Sequence, residues 1–275
     1  MTTSDVPSPD GPAIWVYGLA DEGTVTALPG VAGVAGARVR LVAADGLTAL
    51  VSDVTLEEFG AQALRRNLED LAWLEAVARA HHGVIDAAAR RCTLLPMRLA
   101  TVYSGEAAMV ASLTAHAAEL RAALDRLRSR TEWGVKAYVV PAARDAAPGA
   151  SRAEPAAGQP GDADSGLAYL RRRRDALSAS RDSARSAAQG ARAVHAELER
   201  DAVDSRLHPP QPAQLSGRPE PMVLNAAYLL DDDQAASFAA AVKALGERHP
   251  RLRLELTGPW PPYSFTAREL EREGA

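Results

Sequence analysis

The sequence predicts an α+β protein of two domains, each a sheet covered by helices, and three observations predict it. β-rich runs and amphipathic helical stretches follow one another in mixed order along 275 residues, enough chain for two domains. The composition breaks once, between Pro141 and Ser165, where large apolar side chains nearly vanish. Further on, an alternating run from Arg251 to Thr257 enters Gly258-Pro259-Trp260-Pro261-Pro262-Tyr263-Ser264-Phe265. The three prolines there remove backbone donors and fix φ, so this segment cannot continue as an interior strand.

Composition excludes several classes. With 47% hydrophobic and 24% charged residues the chain is an ordinary globular sequence. A net charge of −4 opposes broad affinity for nucleic acid, which needs a positive field. Cys92 is the single cysteine, so no internal disulfide forms and a reducing compartment fits. Residues 1–12 read as a disordered start without the basic and apolar regions of a signal peptide. No apolar run approaches the ~20 residues that cross a bilayer. The expectation is a cytoplasmic protein without membrane contact.

In the N-terminal domain, placed at 13–130, the first strand is Ala13 to Leu19, β-rich throughout. Arg38–Ala43 and Leu47–Val54 flank Ala44-Asp45-Gly46, and Asp-Gly between apolar runs signals a tight hairpin. Gly33 and Gly36 do not match the dinucleotide-binding spacing. Thr55-Leu56-Glu57-Glu58 has capping-box spacing, and Asn67 with Asp70 offers a second start. Leu68, Leu71, Leu74, Ala78, His81, Ile85 and Ala88 then recur every three or four residues, giving a helix to about Arg91. Arg91 to Tyr103 reads as a strand interrupted by Pro96, hence an edge or a bulge. Ser104 can cap a helix whose apolar face runs from Val110 to Leu127.

The C-terminal domain, placed at 131–275, opens on a strand, Glu132 to Val140. Residues 141–165 cannot repay the entropy of ordering and read as a flexible linker. A long helix follows from Gly166 to about Leu207. It would span roughly 60 Å, so it projects, bends near Gly190 or packs over part of its length. Met222–Leu230 reads as a buried strand, Asp231–Asp233 as the cap of a helix with Phe238, Val242 and Leu245 inward, and the last strand follows. Trp260, Tyr263 and Phe265 are three aromatics within eight residues, in a chain only 5% aromatic. Their rings are expected to fold back and close the sheet, Trp260 included; the alternative is a rigid partner-facing platform.

Chemistry is sparse. His82 and Asp86 share a helix face and could offer two metal ligands. His81 points about 100° away from His82 and reads as a core-edge residue, and no further cluster completes a coordination set. Arg171–Arg174 is the densest positive run, either a nucleic-acid contact or a solvated helix face. Neither a Ser/His/Asp set nor a phosphate loop nor an acid pair appears. The chain is not expected to be an enzyme or to hold a cofactor. A metal-dependent enzyme using His82 and Asp86, and a nucleic-acid binder using Arg171–Arg174, are the alternatives.

Six stretches carry a resemblance. They are His82, then Thr93-Leu94-Leu95-Pro96-Met97-Arg98, Thr101-Val102-Tyr103, Glu132-Trp133-Gly134-Val135-Lys136, Gly166-Leu167-Ala168-Tyr169-Leu170-Arg171-Arg172-Arg173, and the proline–aromatic run. In this order the chain resembles the GvpL/GvpF family of accessory gas vesicle proteins. It departs at Arg98-Leu99-Ala100-Thr101, where the family usually shows Arg-Phe-Gly-Thr. The resemblance implies a ferredoxin-like N-terminal domain and a smaller α+β C-terminal domain with a long helix. It also implies a role in gas vesicle assembly, bound to the hydrophobic shell protein and other accessory proteins. The motif residues offered as partner-binding or structural are Pro96, Arg98, Thr101, Glu132, Trp133, Lys136, Tyr169, Trp260, Pro261, Pro262 and Tyr263.

Overall fold

The structure, a computed structural model, describes residues 12–140 and 163–266. The expected disordered start falls on residues 1–11 and the expected linker on 141–162, both outside the described residues. The chain forms two compact units; among the described residues, 12–132 with 259–266 make the first and 133–258 the second. The expected domains, 13–130 and 131–275, differ from these units chiefly at 259–266. That segment joins the first unit because Tyr263 packs against its core.

In the first unit β1 (Pro12–Asp21), β2 (Arg40–Ala44) and β3 (Leu47–Thr55) precede α1 (Leu56–Phe59), α2 (Ala61–Asn67) and α3 (Leu71–Ala89). Then come β4 (Leu95–Pro96), β5 (Val102–Tyr103), α4 (Glu106–Ala115), α5 (Ala117–Leu127) and the start of β6 (Arg130–Val139). The sheet order is β2-β3-β1-β4, with β5 also on β1. β1 is central and buried from Ala13 to Ala20, which is why it shows no period-two alternation. Ala13, Trp15 and Tyr17 share a core with Val77, Val84, Ile85 and Ala88 of α3. Helices α4 and α5 also contact β1 and bury Met109, Leu113, Leu120, Leu124 and Leu127.

Asp45 (φ 48°) and Gly46 (φ 76°) form the tight turn of the expected hairpin. The connection from β1 to β2 holds no α-helix. It is tied down by a buried relay: the Val34 N–H donates to the Tyr17 hydroxyl (2.8 Å), which donates to Ser52 Oγ (3.0 Å), which donates to the Arg38 carbonyl (3.0 Å). Gly33 must lack a side chain here, since a Cβ would lie 2.2 Å from the Tyr17 hydroxyl oxygen.

Several local expectations are corrected. Thr55 sits at the cap of α1, but its side chain makes no cap bond. Asp70 is the working cap of α3, accepting from the N–H groups of Ala72 (2.9 Å) and Trp73 (3.3 Å). Gly105, not Ser104, occupies the cap of α4. The single helix expected after it breaks at His116 (φ −110°, ψ 12°), whose Nδ1 meets the Ser112 carbonyl at 2.9 Å. The expected strand 91–103 survives only as β4 and β5, either side of a turn at Arg98–Thr101. Pro96 does lie at the sheet edge, where a missing N–H is tolerated.

That turn explains the family departure. Ala100 has φ 66°, a left-handed conformation that glycine adopts freely and alanine does not. Ala100→Gly is therefore expected to raise stability by about 1 kcal/mol, as a shift in urea midpoint at constant slope. No shift would mean that the gain in unfolded-state entropy cancels the relief.

The second unit holds β6 from Trp133, α6 (Ala163–Leu198), β7 (Asp204–Leu207), α7 (Ala213–Ser216), β8 (Met222–Asp231), α8 (Ala235–Arg248) and β9 (Leu252–Trp260), which it shares up to Gly258. Its sheet order is β7-β8-β6-β9. Apart from the one-turn α7, the succession is βαββαβ in the ferredoxin-like order, first strand beside third and fourth. The first unit has the same order without the first helix. Both units therefore carry the ferredoxin-like strand order, and the first crossover helix is present in the second.

Helix α6 ends at Leu198 rather than near Leu207, because Asp204–Leu207 pairs antiparallel with Leu229–Ala226 of β8. Ala187, Ala191, Val194 and Leu198 face the core at helical spacing, while most of 181–186 is exposed. Packing over part of its length is thus the arrangement seen. Gly190 lies in unbroken helix, where a Cβ would stand 3.3 Å from Leu252 Cδ1; it serves close packing, not a bend. Leu224, Tyr228, Leu230, Phe238, Val242 and Leu245 complete this core, and the His195 ring shares a 2.8 Å hydrogen bond with the Tyr228 hydroxyl.

Candidate functional site

The adjacent histidines of α3 serve two different structures, as their divergence on a helix requires. The Trp15 indole N–H donates to His81 Nδ1 at 3.0 Å. An indole can only donate, so Nδ1 is bare and Nε2 carries the proton; Nε2–H donates to the Met97 carbonyl at 3.1 Å. His81 is 4% exposed, and burial pushes its pKa down to about 4. It is a core residue rather than one at the core's edge.

His82 looks toward the proline–aromatic turn. Its Nδ1 and the Tyr263 hydroxyl share a 2.8 Å hydrogen bond, the two rings lie 5.8 Å apart, and Trp260 lies 6.3 Å from the imidazole. Burial raises the Tyr263 pKa, and the carboxylates of Asp86 and Glu132 raise it further, so the phenol stays protonated. The next residue is clamped from β6: Glu132 accepts from the Ser264 N–H (2.8 Å) and hydroxyl (2.7 Å). Burial pushes the Glu132 carboxyl up, against the lowering effect of the two Ser264 bonds.

The turn itself is rigid. Pro259 continues β9, an edge strand that tolerates it. Pro261 and Pro262 make the turn and are buried, the Tyr263 N–H returns to the Pro261 carbonyl (2.8 Å), and the Phe265 N–H to the Pro262 carbonyl (3.1 Å). Phe265 is 4% exposed, whereas Trp260 is 44% exposed. The expectation that Trp260 closes the sheet is therefore overturned. The prolines, Tyr263 and Phe265 take the buried seats, and the strand carries Trp260 outward before the chain turns.

The structure brings Glu132, Trp260, Pro261, Pro262 and Tyr263 together with His82 and leaves the other motif residues elsewhere. Pro96 is buried and pairs with Gly18 of β1. Arg98 is exposed, with its carbonyl accepting from the Thr101 hydroxyl (2.8 Å), and the Thr101 carbonyl accepts from Val16 N–H (3.0 Å). In the second unit Trp133 packs against the core, and Lys136 Nζ donates to Gln211 Oε1 at 3.3 Å. Tyr169 lies on α6, its side chain outside the described residues. Arg171, Arg173 and Arg174 are exposed on the same helix.

Chemically the cluster is a clamp. Asp86 pairs with Arg90, and His82 engages Tyr263 through Nδ1. No group of three potential metal-ligating side chains occurs among the described residues. Sequence reasoning named Ser264 as part of the run but gave it no role. The only signal was Glu132 itself, a carboxylate opening an apolar strand run.

A family model described as Gas vesicle synthesis protein GvpL/GvpF matches residues 13–267. The chain belongs to the GvpL/GvpF family. It is similar to Gas vesicle protein L of a Streptomyces species, 40% identical over 236 residues that cover 86% of each chain. It is also similar to Gas vesicle protein F of that species, 30% identical over 82% of this chain and 87% of the other. Among solved structures it resembles the gas vesicle protein GvpF of an Anabaena species, at 21% identity and a TM-score of 0.63, covering 94% of this chain and 97% of that one. This last likeness extends the GvpL/GvpF fold over both units. No described helix is long and apolar enough to cross a membrane.

Proposed function

We propose that this GvpL/GvpF protein acts in the cytoplasm in gas vesicle assembly, holding the hydrophobic shell protein while the shell is nucleated, and that it works by binding rather than catalysis. The observation that carries this reading is the exposed Trp260 at the start of a turn that is anchored after it by the buried Pro261 and Pro262 and by Tyr263, Ser264 and Phe265. A rigid aromatic costs little entropy to dock, and such side chains dominate binding energy at interfaces. A shell subunit with a strongly apolar face needs a partner that covers it before polymerisation.

Co-expression with the shell protein and pull-down tests the role. The shell protein is expected to be retained at low and high salt, because apolar burial rather than rim charge holds it. Deletion in a vesicle-forming host is expected to abolish intact vesicles. A shell protein that never co-purifies, together with a deletion strain that still floats, would refute the reading.

Trp260→Ala tests the surface. Stability is expected to move by less than about 1 kcal/mol, since the ring is not in a core, while retention of the shell protein falls at least tenfold, as at an interface hot spot. A large loss of stability with unchanged retention would return Trp260 to a structural role.

A further inference from the structure

The edge strand β2 carries a second surface that shares no residue with the Trp260 turn. In a hairpin closed by two residues, the pair flanking the turn is hydrogen-bonded and the pairs alternate from there. Ala44↔Leu47 flanks Asp45-Gly46, and the register continues through Ala43↔Thr48, Val42↔Ala49 and Leu41↔Leu50. Val42 and Ala44 therefore bond to β3, while Leu41 and Ala43 direct their N–H and C=O groups away from the sheet. The free edge is bounded by the Ala32↔Arg38 bridge at one end and the turn at the other.

A cavity of about 430 Å³ lies beside this edge, with Leu28, Pro29, Val31, Val39, Leu41 and Arg38 in its lining. Its wall is preformed. The Val31 N–H donates to the Leu28 carbonyl at 3.4 Å across Pro29-Gly30, and Gly30 has φ 76°, the pattern of a type II turn. Charge gives the groove a preference. The Arg40 guanidinium is taken by Asp53 and Glu106, each at 2.7 Å. Arg38 is exposed and has no carboxylate partner among the described residues.

We propose that the β2 edge receives an extended, largely apolar segment of another protein, added as a strand, with a carboxylate that meets Arg38. Leu41 and Ala43 supply the main-chain bonds, the groove takes alternate side chains, and Arg38 selects the acid. The edge strands of the second unit's sheet fit this less well. β9 contains Pro259, and the groove beside it holds both Lys243 and Glu247; on β7, Arg206 is engaged by Asp204 at 3.0 Å.

The test uses the full chain and two synthetic seven-residue peptides that alternate valine and threonine, one with a central glutamate and one with lysine there. Backbone amide NMR is expected to show Leu41 and Ala43 shifting and gaining exchange protection with the glutamate peptide only. Arg38→Glu, at an exposed position, is expected to weaken that peptide at least tenfold and to reverse the preference. Ala43→Pro removes an outward donor and leaves the β2–β3 ladder intact, so it should abolish binding in a chain whose melting midpoint shows it folded. Equal binding of both peptides to wild type and Arg38→Glu overturns the proposal. So does absence of binding at millimolar peptide, or a concentration-dependent dimer that Ala43→Pro dissolves, which would give the edge to a second copy.

Discussion

Replacing His81 by alanine is expected to destabilise the protein by about 3–5 kcal/mol, read as a lower urea midpoint at unchanged slope. The substitution leaves the Trp15 indole N–H and the Met97 carbonyl buried without partners, at roughly 1–3 kcal/mol each. A cavity under Trp15, itself 0% exposed, adds to that. The same residue sets a pH dependence. The unfolded imidazole takes its proton at the usual 6.5, while the buried one resists until about 4. Between those values the unfolded chain binds the extra proton, so stability is fully present above 6.5 and is lost as pH falls toward 4. At 1.36 kcal/mol per unit, this window corresponds to roughly 3 kcal/mol. His81→Gln should flatten the slope of stability against pH between 6.5 and 4. A variant that keeps the wild-type slope would place the titration elsewhere.

The second large effect is expected at Glu132. Glu132→Ala strips both acceptors from Ser264, and the loss of charged hydrogen bonds, offset by relief of carboxylate burial, nets about 2–4 kcal/mol. Glu132→Gln should cost less than alanine, because its amide oxygen can still accept from the Ser264 N–H while its NH2 donates to the Ser264 hydroxyl, turned to accept. Its pH effect has the opposite sign to that of His81. A carboxyl with a raised folded pKa contributes stability below the ordinary carboxylate range, and loses it as pH rises through the folded value. Chymotrypsin cleavage after Tyr263 and Phe265, neither followed by proline, reports the clamp directly and should accelerate in both variants. Unchanged midpoint and cleavage would show that the buried prolines hold the turn without Glu132.

What was legible in the sequence was local. Asp45-Gly46 announced its hairpin because positive φ has few residue solutions, and the divergence of His81 and His82 followed from helix geometry alone. β7 was hidden because Asp204–Leu207 follows a long run of good helix formers, and its strand state comes from pairing with β8 far along the chain. The break at His116 carries neither glycine nor proline to mark it. Trp260 misled for a related reason: a cluster of large apolar residues competes for a few buried seats, and its neighbours took them. The Glu132–Ser264 clamp joins residues 132 positions apart, a distance at which no spacing rule speaks.

That separation also has a consequence in time. At about 5–20 residues per second of synthesis, the 132 positions between Glu132 and Ser264 take roughly 7–26 s to translate. Throughout that interval the first unit has a buried-type carboxylate without its partner, and the apolar seats of Tyr263 and Phe265 stand empty. Residues 133–258, by contrast, leave the ribosome as one uninterrupted stretch. The unit made second is therefore complete in sequence before the unit begun first, and a nascent chain passes through a stage in which the N-terminal core still lacks residues 259–266. Slow codons or a chaperone acting between residues 132 and 259 would alter yield without touching the stability of the finished protein.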